Sequence, residues 1–304
     1  NPKMVIAQCR AGIVGSFPSL NARSTEILDE WLTEITEALA AHNAANPERP
    51  AAPYAVNLIV HRSNTRLEQD VEICIKHKVP IIITSLGARP EINDAIHSYG
   101  GIVFHDIINL THARKALEKG ADGLIAVCAG AGGHAGTLSP FALVQEIRQF
   151  FDGPLLLSGA IAHGRSVLAA EAMGADLAYA GSVFIATEEA NAAPEYKQCL
   201  VEATADDIVY TNLFTGIHGN YLRQSIEAAG LDPKNLPTSD PSRMNFGSGG
   251  NQAAKAWRDI WGCGQGIGVI DKVETVASVV HRMEQEYTAA RAELLGKRSS
   301  LAAE

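Results

Sequence analysis

The segment ADGLIAVCAGAGGHAGT, from Ala121 to Thr137, passes from an apolar strand pattern directly into a glycine-rich loop that carries one histidine, His134. Two later stretches have the same form, and each leads into a helical pattern: PLLLSGAIAHG from Pro154 to Gly164 and ADLAYAGSVFIAT from Ala175 to Thr187. In parallel α/β barrels, ligands bind where the strands end at the carboxyl face. The repeated pattern therefore predicts a barrel mouth that holds a phosphate-bearing ligand beside a titratable side chain.

Apolar, β-branched runs alternate with helical patterns over the first 190 residues. Four such runs, beginning at Ala11, Pro53, Val79 and Gly101, precede the three quoted above. Their lack of polar alternation is typical of parallel strands that are buried on both faces. The sequence thus predicts an α/β fold, a (β/α)8 TIM barrel. A barrel normally has eight strands, and Pro2 to Arg10 resembles the end of a helix, so we expect a first strand about 20 residues upstream of the chain.

The alternation changes after Thr187, which predicts a division of the chain. We expect residues 1–190 and a C-terminal helix at 272–290 to form the barrel, and residues 191–271 to form an appended helical region that covers the active site as a lid. Residues 205 to 230 read as a short strand followed by a helix. Residues 231 to 251 are rich in Pro, Ser, Asn and Gly and predict a long loop.

The composition excludes several classes of function. The 25 basic and 34 acidic residues give a net charge of -9 without any block of Lys and Arg, which argues against nucleic-acid or anionic-membrane binding. No apolar run approaches the roughly 18 residues of a membrane helix. The five cysteines are scattered and predict neither a zinc site nor a disulfide framework. We expect a cytoplasmic protein that binds no metal and acts on a small molecule. The C-terminal helix is a candidate contact in a homo-oligomer.

His134 is the leading candidate for chemistry. Gly132, Gly133 and Gly136 flank it and let the backbone approach a flat ligand closely. An unperturbed imidazole titrates near 6.5 and can exchange a proton with a carbon acid at neutral pH. The alternative is a loop histidine that only caps a helix end. Second-rank candidates are the histidines that follow other strands or lie in the appended region: His61, His105, His163 and His218.

Two glycine turns end the last two predicted strands, Ser158-Gly159-Ala160 and Ala180-Gly181-Ser182. Backbone N–H groups in such turns form anion-binding sites, and barrels commonly bind phosphate at this position. The alternative is tight strand-to-helix packing, which also favours glycine. Asn57, at the end of an earlier strand, offers an amide that can bond the edge of a heterocycle, or it is an ordinary loop-side amide.

With these features the chain resembles the nitronate monooxygenases, formerly called 2-nitropropane dioxygenases, which are FMN-dependent TIM barrels related to flavin-dependent enoyl reductases. The resemblance spans almost the whole chain, and the order of the histidine loop and both glycine turns is its most specific part. The matching segments are VNL at Val56–Leu58, AGGHAG at Ala131–Gly136, SGAIAHGRSV at Ser158–Val167, AGSVFIAT at Ala180–Thr187 and WGCGQGIGVI at Trp261–Ile270.

The resemblance implies a role for each matched position. His134 would be the catalytic acid/base, and the two glycine turns would hold the FMN phosphate through the backbone of Gly159, Ala160, Gly181 and Ser182. The flavin contacts would be Asn57, Gly132 and Gly133, with Gln265 near the active site. The chain also departs from the family pattern, with Val127 and Cys128 where a polar Gln or Asp is common, Asp106 where some members have Lys, and Ala160 in place of a glycine.

The resemblance implies FMN-dependent oxidation of alkyl nitronates, and of nitroalkanes, by O2 to a carbonyl compound and nitrite. A second hypothesis is an NAD(P)H-dependent flavin reductase that acts on a quinone or an enoyl thioester, because one fold serves both chemistries. A third, from another class, is a non-catalytic FMN-binding or sensing protein. The intact histidine loop favours an enzyme.

Overall fold

The computed structural model describes the backbone of residues 1–240 and 259–301 and the side chains of 1–240 and 259–296. Residues 241–251 of the predicted loop lie outside the described residues. The larger sheet has seven parallel strands in the order β1-β2-β3-β4-β5-β7-β8, which confirms all seven predicted strands. These strands are β1 (Gly15–Pro18), β2 (Tyr54–Ile59), β3 (Ile81–Ser85), β4 (Ile102–Ile107), β5 (Gly123–Val127), β7 (Leu155–Ser158) and β8 (Leu177–Tyr179).

Helices follow the strands, as the alternation predicts. The predicted helix at Pro2 to Arg10 is confirmed by α1. Helix α2 begins after Ser24, whose side chain accepts a hydrogen bond from the Ile27 N–H at 3.3 Å. The C-terminal helix extends beyond its predicted end at residue 290. The helices are α1 (Pro2–Arg10), α2 (Thr25–Ala45), α3 (Leu67–Lys76), α4 (Pro90–His97), α5 (Leu110–Glu118), α6 (Pro140–Arg148), α7 (Gly164–Ala172), α8 (Ser182–Ile185), α9 (Pro194–Glu202), α10 (Arg223–Ala228) and α11 (Val276–Leu301).

The sheet curls around an apolar interior. One side chain from each of five neighbouring strands fills it, and these residues are Ala55, Ile83, Phe104, Ile125 and Leu156. The opposite faces of the same strands pack against the helices in two larger apolar cores. Because side chains alternate along a strand, residues two positions further along face the same interior closer to the carboxyl end. The apolar interior thus forms the base of the region in which the candidate site lies.

The two edge strands of this sheet approach each other. Within residues 1–240 and 259–301, β1 and β8 pair on one side only, and the Ser16 Oγ and Tyr179 OH atoms on them lie 3.4 Å apart. The curvature is that of a TIM-type barrel with seven strands present. The eighth strand stays a prediction.

A smaller antiparallel sheet covers the carboxyl end of the barrel. It consists of β6 (Gly133–His134), β10 (Gly219–Leu222) and β9 (Ile208–Thr211), in that order. The prediction of one strand and a helix for residues 205–230 was wrong, because two strands precede the short helix α10. The chain reverses between them through Gly216, whose φ of 83° favours glycine.

At Gly164 the backbones of α7 and α11 approach closely, and this contact gives a stability prediction. A Cβ at this position would overlap the Met283 carbonyl oxygen and the Tyr287 backbone nitrogen of α11. We expect Gly164→Ala to lower the free energy of unfolding by about 1–3 kcal/mol, as measured by urea denaturation, because two backbones must separate.

Gly296→Ala in the same helix α11 is the matched control. A Cβ there meets nothing within 4 Å, so we expect a gain of about 0.5–1 kcal/mol from helix propensity. Equal effects of the two substitutions would contradict this packing.

Candidate active site

A cavity of about 1430 Å³ opens at the carboxyl end of the parallel strands. The barrel loops form one wall, and the small antiparallel sheet forms another. Ten of the eleven predicted site residues line it: Asn57, Gly132, Gly133, His134, Ser158, Gly159, Ala160, Ala180, Gly181 and Ser182. The eleventh, Gln265, lies behind the wall, where its backbone N–H donates to the Gly130 carbonyl at 2.9 Å.

The Gly130 carbonyl joins three segments that are far apart in the sequence. It accepts hydrogen bonds from the N–H groups of Ala160, at 3.2 Å, and Gln265, at 2.9 Å. The segment Gly262–Gly266 packs so closely here that a Cβ on Gly264 would lie 2.5 Å from the Gly130 oxygen. This contact changes the role expected for Ala160. Its N–H is already bonded, so Ala160 lines the cavity without offering that donor.

His134 lies on β6, which is part of the loop after β5 and also an edge strand of the small sheet. It pairs with Gly219 of β10, and its Nε2 lies 2.8 Å from the Thr215 Oγ1. The loop around it is held from the same side, because Asn220 Nδ2 donates to the Ala131 carbonyl at 2.6 Å and Tyr210 OH donates to the Ala135 carbonyl at 2.9 Å. The imidazole is therefore part of a fixed wall of the cavity.

Burial lowers the pKa of His134 to about 4, well below the ordinary 6.5. The imidazole is neutral at pH 7. It can accept a proton or a hydrogen bond there, but it does not offer a permanent positive charge to an anion. The sequence could not give this value, because the burial depends on tertiary contacts such as the pairing of the loop with β10.

The two glycine turns meet the cavity in different ways. A Cβ at Gly181 would contact nothing within 4 Å, so the space beside this backbone is open. The Ser182 Oγ accepts a hydrogen bond from the Gly264 N–H at 2.8 Å, which leaves the Ser182 hydroxyl proton as a donor. Ala160 adopts a φ of 53°, which strains a residue with a Cβ.

A polar network extends across the ends of β2, β3 and β4. Asn57 Nδ2 donates to the Ser85 Oγ at 2.6 Å, and the Ser85 hydroxyl donates to the Asp106 Oδ2 at 2.5 Å. Asn57 and Asp106 line the cavity, as does Tyr179 of β8. Burial raises the pKa of Asp106 to about 6, and the Ser85 hydrogen bond opposes this rise. Burial and the Asp106 charge raise the pKa of Tyr179 to about 12.

Sequence reasoning missed Thr215, Asn220 and Ser85 as partners of the candidate residues. Thr215 and Asn220 lie in the appended region, where the sequence pattern predicted one strand instead of two. Ser85 carried a usable signal, because it is the polar end of the apolar run VPIIITS.

The second-rank histidines are outside the cavity lining. His105 is buried on the outer face of β4, where its Nδ1 lies 2.6 Å from the Thr84 Oγ1. His61 contacts Ser63, and His163 caps α7 beside Glu286. His218 stacks on Tyr210 at 5.0 Å between ring centroids.

Two findings concern other kinds of site. Across the part of the chain that the structure describes, no three His, Cys, Asp or Glu side chains are grouped so as to hold a metal ion. No helix within the same residues has the length and apolar character of a membrane span.

The family model for nitronate monooxygenase matches residues 25–286. The chain belongs to the nitronate monooxygenase family. This match covers the barrel strands β2 to β8, the glycine turns and the small antiparallel sheet, and it agrees with the resemblance carried by the sequence motifs. Family membership makes a flavin the cofactor expected for this cavity.

Among curated proteins, the chain is similar to a Mycobacterium tuberculosis protein provisionally described as a monooxygenase, with 30% identity over 75% of this chain and 64% of the relative. It is also similar to a nitronate monooxygenase of Paraburkholderia phytofirmans, with 30% identity over 49% of this chain and 43% of the relative. The matched part thus spans about half to two thirds of these relatives.

Solved structures confirm the fold. The nitroalkane oxidase of Streptomyces ansochromogenes superposes with a TM-score of 0.78 at 20% identity, over 96% of this chain and 93% of that one. FabK from Thermotoga maritima superposes with a TM-score of 0.74 at 24% identity, over 98% of this chain and 92% of that one. These similarities establish the barrel architecture.

The contact at Gly264 predicts the effect of one added methyl group. We expect Gly264→Ala to lower the free energy of unfolding by about 1–3 kcal/mol, because the new Cβ presses on the Gly130 carbonyl that joins the three segments. Gly268→Ala in the same segment is the control, since a Cβ there has its nearest neighbour at 3.9 Å. Thermal unfolding measures both variants. A Gly264→Ala protein as stable as the wild type would contradict the close contact of the three segments at the Gly130 carbonyl.

The lowered pKa of His134 predicts an NMR titration. We expect the imidazole of His134 to stay neutral down to about pH 4. Its NMR resonance, which is assigned by comparison with His134→Asn, reports this titration. Since the unfolded chain binds this proton near pH 6.5 and the folded chain does not, this residue makes the fold less stable as the pH falls from 6.5 to 4. A midpoint near 6.5 would contradict the burial.

Proposed function

We propose that this protein catalyses the FMN-dependent oxidation of alkyl nitronates by O2 to a carbonyl compound and nitrite, with His134 as acid/base. The observation that carries the proposal is a neutral imidazole held in the cavity wall beside two glycine turns, in a member of the nitronate monooxygenase family. Each of these features supports oxidation of a small nitrogen-containing carbon acid.

The residues fit a flavin. Gly132 and Gly133 line the cavity beside His134, and the open backbone at Gly181 with the Ser182 hydroxyl offers donors for a phosphate. Ser158, Gly159, Ala160 and Ala180 would complete that end, and Asn57 would contact the ring. The volume exceeds the ~300–1,000 Å³ of a drug-sized pocket, which leaves space for a substrate.

His134 would act on the α-carbon of the substrate. With a neutral nitroalkane, the α C–H bond breaks, its electron pair enters the nitronate, and the proton bonds to an imidazole nitrogen. A preformed nitronate needs no such step. When bound, FMN supplies the redox chemistry between the nitronate and O2.

The wall near the imidazole suits an alkyl substituent. Leu213 and Phe214, which precede the His134 partner Thr215, line the cavity, and Phe214 packs edge-on against Tyr221 at 5.1 Å between centroids. An apolar chain buried here would gain roughly 0.8 kcal/mol per CH2 group. We infer a substrate with a small alkyl group.

We propose that residues 1–190 with the C-terminal helix form the flavin-binding unit and that residues 191–271 form its cap. Thr238, Ser239 and Asp240 line the cavity, and Asn212 fixes this segment by two hydrogen bonds to Ser239, at 2.9 and 3.1 Å. A cap of this kind excludes water from the reacting atoms.

A second candidate is an NAD(P)H-dependent flavin reductase. A Rhodococcus jostii relative, 26% identical over 62% of this chain, is named as the dehydrogenase of an indene-carboxyl-CoA compound. Anaerobic mixing with NADH or NADPH separates the candidates, because rapid bleaching of the flavin supports the reductase and slow bleaching supports nitronate oxidation.

The proposed role of His134 predicts that its substitution lowers activity by different amounts for two substrates. We expect His134→Asn to lower kcat/KM for 2-nitropropane by about 10²- to 10⁴-fold, because the base is lost. For propionate-3-nitronate the loss is smaller, since that proton is already absent. Oxygen consumption and nitrite release measure both, and the flavin released by heat is identified as FMN or FAD.

His112→Asn, at an exposed position on α5, is the matched control and should leave both rates unchanged. A His134→Asn protein that retains FMN and full turnover with both substrates would remove the histidine from the mechanism.

A further inference from the structure

Asp106 is a half-buried carboxyl group for which the proposed chemistry gives no role. It lies at the end of β4, two residues beyond Phe104 of the apolar interior, and it lines the cavity. Its protonation state therefore affects which ligands the cavity accepts.

The direction of each hydrogen bond around Asp106 is fixed. Asn57 Nδ2 lies 3.3 Å from the Ile83 carbonyl oxygen, which only accepts, so the NH2 group of Asn57 must face that side. The same NH2 group donates to the Ser85 Oγ at 2.6 Å. The Ser85 proton is then directed to the Asp106 Oδ2. A proton on Asp106 therefore resides on Oδ1, the oxygen that Ser85 does not contact.

Within residues 1–240 and 259–296, the neighbours of Asp106 supply no positive charge. On the adjacent strands, Ser85 of β3 and Val127 of β5 face the same interior, and neither is ionisable. Burial and the negative charge of Asp106 both raise the pKa of Tyr179 on β8. The cavity residues Arg23 and Arg66 lie at the ends of other elements, and Arg66 is paired with Asp70 at 2.9 Å. Desolvation thus favours the neutral acid.

We propose that Asp106 binds the ligand of this cavity as a neutral carboxylic acid, donating a hydrogen bond from Oδ1 to an acceptor group on the edge of the ring. The ligand class is a planar heterocycle with ring carbonyl or nitrogen acceptors, which a flavin provides. This inference rests on the proposed function for the identity of that ring. Binding is then linked to the protonation of this one side chain.

The linkage has a definite sign. A ligand that requires the protonated acid binds up to tenfold more weakly for each pH unit above the pKa of Asp106. In the protein without ligand, the folded state holds this proton more tightly than the unfolded state, whose carboxyl titrates near 3.9. Asp106 therefore makes the fold less stable as the pH rises from about 4 to 7, the reverse of an ion-paired aspartate.

The experiment measures flavin affinity of the apo-protein between pH 6.5 and 8.5 by fluorescence quenching. FMN is the first probe, and riboflavin, which has no phosphate to titrate, is the second. In the wild-type protein we expect the affinity for both to fall by up to tenfold per pH unit. In Asp106→Asn the slope disappears, because the amide is neutral and remains a donor.

Two further variants make the test specific. Ser85→Ala removes the hydrogen bond that stabilises the carboxylate, so the fall in affinity should begin at higher pH. Asp152→Asn changes an exposed carboxyl to the same amide and should keep the wild-type slope. Thermal unfolding of the apo-proteins gives a second readout. The midpoint of Asp106→Asn should exceed that of the wild type increasingly from pH 4 to 7.

Equal pH slopes in the wild type and Asp106→Asn would overturn the proposal, even if nitronate turnover is present. A pH-linked affinity that disappears in Asp106→Asn, without any nitronate turnover, would overturn the proposed function and support the role of Asp106. Failure of both flavins to bind the wild-type protein would overturn both.

Discussion

The geometry of the site depends on one carbonyl group. The Gly130 oxygen accepts from both Ala160 and Gln265, so the histidine loop, the first glycine turn and the C-terminal segment meet at one atom. A buried acceptor with two donors is costly to disrupt, because each lost donor leaves a desolvated polar group. Glycines at 132 and 264 allow this close approach, since a side chain at either position would separate the backbones. The position of His134 relative to the glycine turns follows from this junction.

The barrel strands could be predicted from the sequence because their pattern is local. Continuous apolar runs followed by glycine identify buried parallel strands without knowledge of their neighbours. The small sheet could not be predicted in this way. Residues 219–222 pair with residues 208–211 and, through Gly219 and Asn220, with a two-residue strand at 133–134, and nothing near them in the sequence indicates this last partner. Short strands with distant partners are determined by tertiary contacts.

The same limit applies to the site. The glycine and histidine pattern at the strand ends, together with the family resemblance, located ten lining residues. It did not give the ionisation state of His134 or Asp106. Both pKa values are set by burial, which depends on the cap above and the apolar residues below. A residue type indicates what chemistry is available, and its surroundings decide which protonation state is present.

His134 belongs to the barrel through its loop and to the cap through its pairing with Gly219. The cap sheet therefore cannot swing away from the mouth without breaking the backbone bonds that orient the imidazole. The exposed residues Arg23 and Thr65 border the cavity beyond β1 and β2 and do not belong to the cap sheet. A ligand that enters on this side would pass the positive charge of Arg23 before it reaches the imidazole.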